Sequence, residues 1–334
     1  MIAASMRRVS ALFDPWSLLL AALTIGVFGY GVVFVPNFFT AFNLSQLTAG
    51  VAEKALLALP MVLLIVAREI DLSVASTLAL TSVVLGILLK AGLPIPAAIP
   101  LVIAIGALLG AFNGTMVAFL GLPSLVVTLG TMAMYRGIGY ILLGSGSINV
   151  FPESLTDFGI DDIPGTRIPL VITPFLILAP IFAVALQRMP FGRRIYAIGG
   201  NPPAALYSGI DVRRMRFRLF VISGMVCAVA GIVYTARLAN ARANNALGME
   251  LDVITMVLLG GVSVWGGKGN LTGVLWALVL IATLRNILGI SQIGGDAQGL
   301  VIGLLLIGSL LVSNSTGFLV SWLRNIGAPV KASG

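Results

Sequence analysis

Lys268 closes a glycine-rich run, Gly261-Val-Ser-Val-Trp-Gly-Gly-Lys-Gly269, and a lysine set behind glycines is how many chains cradle nucleotide phosphates. The spacing here does not fit that use. The first glycine of such a cradle would fall on Val262, the residue after Lys268 is Gly269 instead of Ser or Thr, and no strand leads into the run. It reads as a tight glycine turn, so any ATP-driven work has to be done on another polypeptide. Other catalytic chemistry is equally undersupplied. With no histidine, the chain lacks the commonest general base and metal ligand. Its one cysteine, Cys227, lies in an apolar stretch and leaves no intrachain disulfide. No metal site and no cofactor of its own are expected.

The remaining candidates are charged and polar residues set among apolar ones. Glu69 and Asp71 follow Arg68 at a junction between two apolar runs, and Glu250 and Asp252 hold a similar junction later. These acids, with Glu53, fall near the ends of predicted spans, where charges usually anchor or pair and less often gate. Arg136, in Tyr135-Arg136-Gly137, lies well inside an apolar run; facing lipid there would cost several kcal/mol, so it is expected to face protein. Asn113, Ser124, Thr128, Thr131 and Gln46 suit a solute path, and hydrogen bonding between helices accounts for each equally well. The set carried forward for a path or gate is Glu69, Asp71, Asn113, Thr128, Thr131, Arg136, Glu250 and Asp252.

The clearest handle is the segment 188–217. Seven of the 20 basic residues crowd between Arg188 and Arg218: Arg188, Arg193, Arg194, Arg213, Arg214, Arg216 and Arg218. Within it a short helix carries its own start and stop signals. Asn201 is a good N-cap, Pro202 and Pro203 suit a first turn, and Gly209 suits the left-handed position just past the end. Leu206 and Tyr207 offer apolar anchors beside Ala204 and Ala205, with Ser208 before the glycine. A capped surface helix in a basic loop is a docking handle for another protein, and Gly192 and Arg193 lead into it.

The elements that position this handle are membrane helices. Hydrophobic residues make up 58% of 334 and charged residues 10%, against about 25% charged in a soluble domain. The net charge of +8 does not call for nucleic acid, because basic residues gathered in cytoplasmic loops give the same figure. Apolar runs of roughly 17–25 residues number about ten, near 16–35, 48–67, 72–90, 96–119, 124–143, 168–187, 218–236, 249–264, 271–289 and 298–314. Orientation follows from the bases. With both termini cytoplasmic, Arg7, Arg8, Arg68, the seven loop arginines, Lys268, Arg324 and Lys331 all lie inside. The external segment 144–167 then holds Glu153, Asp157, Asp161 and Asp162. The first run, preceded by Arg7 and Arg8 and lacking a cleavage pattern, reads as a retained anchor helix.

Glu69-Ile-Asp-Leu72 falls between the second and third runs and Glu250-Leu-Asp-Val253 between the seventh and eighth. Equivalent places in two five-helix halves imply halves of opposite orientation, since five is odd. Glycines spaced by four, at Gly106, Gly110 and Gly114 and again at Gly295, Gly299 and Gly303, predict tight helix contacts within the chain, with a subunit interface as the other use. The fold class is thus an all-α polytopic membrane protein, one transmembrane domain over 1–334.

In order and spacing, these segments resemble the permease subunits of bacterial ABC importers for monosaccharides, the ribose, xylose, galactose, rhamnose and autoinducer-sugar group. The resemblance rests on Glu69–Ser76, Asn113-Gly114, Val127–Gly137, Phe191–Asn201, Ala204–Ile210, and Glu250-Leu-Asp through Leu259-Gly-Gly261 to Gly266-Gly267. It departs at Ala67-Arg68, where a Gly-Gly or Gly-Arg pair is expected. The resemblance implies ABC ATPase subunits that carry ATP and Mg, a second permease copy or a sister permease, and a periplasmic sugar-binding protein. It also implies docking of the ATPase on Asn201–Gly209, and by similarity of the loop the sugar expected is rhamnose, ahead of ribose or an autoinducer sugar. Lipid is the other partner, through the arginine-rich flanks of the loop. Two other classes compete: an ion-coupled secondary transporter, which usually embeds acids in mid-span, and an intramembrane enzyme, for which no nucleophile–base pair or metal cluster is present.

Overall fold

The structure, a computed structural model, describes residues 15–304 apart from 296, together with 307 and 308. Arg7, Arg8, Arg324, Lys331 and part of the run 298–314 lie outside the described residues. The described chain is helical, its only β-pairing being two isolated bridges, Ile148 with Ala241 and Asp162 with Pro169. The helices are α1 (Pro15–Phe34), α2 (Ala41–Val66), α3 (Val74–Lys90), α4 (Ile95–Ala118), α5 (Ser124–Leu143) and α6 (Glu153–Ile160). They continue with α7 (Thr173–Gln187), α8 (Pro190–Gly200), α9 (Pro202–Tyr207), α10 (Val212–Leu238), α11 (Met249–Leu259) and α12 (Leu271–Ile290).

Seven segments among the described residues are long and apolar enough to cross a membrane: α1, α2, α4, α5, Leu170–Gln187, α10 and α12. Ten are therefore not confirmed. The expected third run forms α3, apolar but only 17 residues long, and the expected eighth forms α11, 11 residues. At about 1.5 Å per residue, α11 reaches only halfway across a bilayer core.

The bundle is built inside out around α2 and α10, whose apolar stretches are mostly buried. The rim helices α1, α4, α5 and α7 leave Ile25, Leu108, Ile141 and Ile177 exposed. In water such a surface would be a liability; against hydrocarbon it costs nothing. Glycine sets the closest crossing. A Cβ on Gly110 would lie 2.2 Å from the Phe220 carbonyl oxygen, and one on Gly106 2.4 Å from that of Gly224. Hence the 106–110–114 stripe is an intrachain contact of α4 with α10. Among the described residues the second stripe has no such contact: a Cβ on Gly295, Gly299 or Gly303 would meet nothing within 4 Å.

Two of the shorter helices pack against the two most buried ones. α3 packs on α10, joined by the Ser82 and Thr235 hydroxyls 2.7 Å apart, and α11 packs on α2. The acidic echo is looser than expected: Glu69 and Asp71 precede α3, whereas Glu250 and Asp252 lie in the first turn of α11.

Candidate functional site

The basic segment folds as two short helices laid across one end of the bundle. In α9 the Asn201 side chain accepts from the Ala204 N–H at 3.1 Å, capping a first turn that Pro202 and Pro203 preset. At the other end Gly209 takes φ +79°, its N–H donating to the Leu206 carbonyl while that of Ile210 donates to Ala205. This paired closure requires a left-handed residue and so a glycine. Ala205 faces inward and is buried. Ala204, Ser208 and Leu206 are exposed, and Tyr207 is 92% exposed. A hollow of about 780 Å³ lies beside this turn, lined by Leu206, Tyr207, Pro202, Val117 and Val212. Of the two residues leading in, Arg193 is exposed, but Gly192 is buried, where a Cβ would lie 1.8 Å from the Leu186 carbonyl oxygen. Gly192 thus sets the close turn of α8 against α7.

α8 is fastened to the core at its far end. Arg68, just past α2, donates from Nε to the Gly199 carbonyl at 2.6 Å and from Nη2 to Gly200 at 2.8 Å. The Gly267 N–H donates to the Val66 carbonyl at 2.8 Å, and the Tyr196 hydroxyl to that of Gly269 at 2.6 Å. Burial pushes the Tyr196 phenol above its ordinary pKa, keeping that donor protonated. Three turns therefore meet at one point, Ala67-Arg68 and the glycine pairs Gly199-Gly200 and Gly266-Gly267. Arg68 occupies its turn at φ +67°, a conformation that favours glycine, and in return brings a guanidinium no glycine could supply. The Lys268 run is the third leg of this junction, the tight turn its sequence indicates.

Next to the junction lies a buried polar network. Asp71, 3% exposed, accepts from the Ser73 N–H (2.9 Å), the Ser73 hydroxyl (2.6 Å) and the Ser223 hydroxyl of α10 (2.9 Å). Asn113 donates to Ser73 at 2.9 Å and faces the Tyr135 hydroxyl at 3.2 Å. Ile70 donates to Ser124 at 3.2 Å, and the Thr128 hydroxyl, bonded to the Ser124 carbonyl at 2.8 Å, lies 3.2 Å from that of Ile70. Glu69 pairs with Arg216 at 2.7 Å. Thr131 is buried one turn further along α5. Asn113 and Thr128 thus tie helices together around the 69–73 loop, whereas the Thr131 hydroxyl bonds within α5, to the Thr128 carbonyl.

Arg136, Glu250 and Asp252 gather elsewhere, toward the opposite end. Arg136 faces protein as expected, with Nη1 donating to the carbonyls of Ala243 and Asn245. Asp252 accepts Lys54 at 2.8 Å and Arg285 at 2.6 Å. Glu53 corrects the sequence expectation: it lies in mid-α2, not near a span end, and pairs with Arg237 at 2.6 Å. Sequence reasoning missed Lys54, Arg216, Tyr196 and Asn286, because each matters through a partner more than 70 residues away along the chain. The departure at Ala67-Arg68 was the one local signal.

Residues 43–310 match the permease family described as branched-chain amino acid transport system / permease component. The chain belongs to this family. Among curated relatives, the autoinducer 2 import system permease protein LsrD of Yersinia enterocolitica is 33% identical over 93% of this permease and 94% of that protein. LsrD of Escherichia coli K12 is 33% identical over 87% and 90%, and the ribose import permease protein RbsC of Haemophilus influenzae 35% identical over 84% and 88%. No solved structure matches this permease. The matched residues 43–310 include the junction, α9 and both polar clusters.

Proposed function

We infer that this chain is the membrane subunit of an ABC importer that carries a monosaccharide or sugar-derived solute across the bacterial inner membrane, driven by a separate ATPase. The observation that carries this reading is α9: a capped turn presenting Leu206 and Tyr207 outward, on a helix that Arg68 fastens to the central α2. A stiff handle tied to the core can pass ATPase closure to the bundle as rigid-body motion. Gly192 and Arg193 through Gly209 then form the coupling segment. The names of the relatives support a sugar-type solute; they point to ribose and autoinducer 2, and rhamnose gains no support from them. ATP and Mg belong to the partner.

Ten spans in two inverted halves, with both termini cytoplasmic, complete the reading. Its support is the reciprocal packing of α3 on α10 and α11 on α2, with the two short apolar helices at corresponding places. A second permease copy or sister permease and a periplasmic binding protein are its further partners, and the Glu69–Asp71 network is its candidate gate. Ion-coupled transport is disfavoured by pairing, not position: Glu53 is in mid-span but neutralised by Arg237.

The test is uptake of labelled ribose, autoinducer 2, rhamnose and leucine by cells carrying the chain together with its ABC ATPase and periplasmic binding protein. Uptake of a sugar that stops when the ATPase is inactivated supports the reading. Leucine uptake alone, or uptake indifferent to the ATPase, would sink it.

A further inference from the structure

A second polar site lies away from the α8–α9 junction, on the flank formed by α2, α11 and α12. It is a cavity of about 190 Å³ lined by Gln46, Lys54, Arg285 and Asn286, with Leu47, Val51 and Met256 as an apolar wall. Along α2, Lys54 is 12 residues from Val66 and Gln46 is 20, so the cavity sits roughly 18–30 Å from the junction. That is within the depth of a bilayer core.

Its chemistry is unusual for that depth. Lys54 and Arg285 share one carboxylate, Asp252, taking opposite oxygens, so the cluster is net positive. The Arg285 Nε–H is buried and has no partner among the described residues. Asn286 is held by a reciprocal amide pair with Asn43, at 2.8 and 2.9 Å, which fixes the side chain it presents. Gln46 and Gly50 are exposed at the mouth, and a Cβ on Gly50 would meet nothing within 4 Å. An open mouth carrying amides and cations at membrane depth is costly against lipid, and such groups face protein or water.

We propose that this cavity is a solute subsite on the translocation path, taking one small polyhydroxylated ring. The volume is below the roughly 300–1,000 Å³ of sites for drug-sized ligands, which limits the occupant to monosaccharide size. Amide groups both donate and accept, as hydroxyls do; Lys54 and Arg285 supply donors for ring and hydroxyl oxygens, and Met256 with Val51 offers a face for C–H groups. Asp252 touches both cations through its two oxygens, so each keeps an anionic partner when a neutral sugar binds, and the cluster stays net positive. The subsite rests on the sugar-import reading, and its test separates the two.

A Cβ on Gly50 meets nothing within 4 Å, so Gly50→Leu can extend into the mouth without a clash at its Cβ, and Gly50→Ala leaves the mouth mostly open. In cells carrying the full importer, uptake of ribose, autoinducer 2 or rhamnose should fall about tenfold or more in Gly50→Leu and stay near wild type in Gly50→Ala. Yield and thermal midpoint of the purified variants should be unchanged. Arg285→Gln should raise the half-saturating sugar concentration more than it lowers the maximal rate. Wild-type uptake of none of the three sugars overturns the import reading itself. Sugar uptake by the wild type that Gly50→Leu matches overturns the subsite alone.

Discussion

Arg68 Nε and the Gly199 carbonyl oxygen, 131 residues apart in sequence, lie 2.6 Å apart and join the end of the most buried helix to the end of α8. The bond is charge-assisted and made by a residue held at positive φ, so the backbone is strained to place the side chain. A Cβ on Gly199 would lie 1.8 Å from the Val66 carbonyl oxygen. Gly199→Ala should therefore pry the junction apart, lowering stability by about 1–3 kcal/mol and abolishing uptake. Arg68→Gly relaxes the turn while removing the strut; it should express and unfold near wild-type temperature but transport poorly. Thermal unfolding in detergent paired with uptake checks both. Normal transport by Arg68→Gly would show that the strut transmits nothing.

Leu206 and Tyr207 face outward from α9, 60% and 92% exposed. Burying such anchors under a partner is worth roughly 1.5–3 kcal/mol per large side chain. Replacing both with Asp should weaken copurification with the ATPase and stop uptake, while membrane insertion stays intact. Wild-type yield of the complex together with wild-type uptake would place the coupling elsewhere.

Glu53 and Arg237 form a pair within the bundle, with the Glu53 side chain 1% exposed and that of Arg237 23%. Removing one partner of a buried pair costs about 3–5 kcal/mol, mostly as an uncompensated charge. Arg237→Gln strands the more deeply buried group and should destabilise more than Glu53→Gln. The double variant should lose less than the sum of the two. Chemical unfolding of all four proteins gives the coupling; additive losses would mean the pair contributes nothing.

Sidedness is tested by single cysteines in a Cys227→Ala background. Cysteine at Asp161, after α6, should react with an impermeant maleimide from outside intact cells. Cysteine at Ser208, beside α9, should react only after the membrane is opened. The reverse pattern would invert the orientation.

The class of molecule, the capped helix and the glycine crossing were legible in sequence because each is a local pattern. Composition sets the solvent, Asn201, Pro202 and Gly209 set α9 within nine positions, and spacing by four puts Gly106, Gly110 and Gly114 on one face. Segment length was less legible: apolarity marks 72–90 and 249–264 as oily, but α3 begins only at Val74 and the Gly260-Gly261 turn ends α11 at Leu259.

What only the tertiary structure decided is pairing. Glu69 with Arg216, Glu53 with Arg237, Lys54 and Arg285 on Asp252, and Arg68 on Gly199 each join residues more than 30 positions apart. Sequence showed that these charges exist and that leaving them against lipid would be costly. It could not show which partner neutralises which, because that depends on how the helices cross, and the crossing is set by close packing summed over the whole bundle.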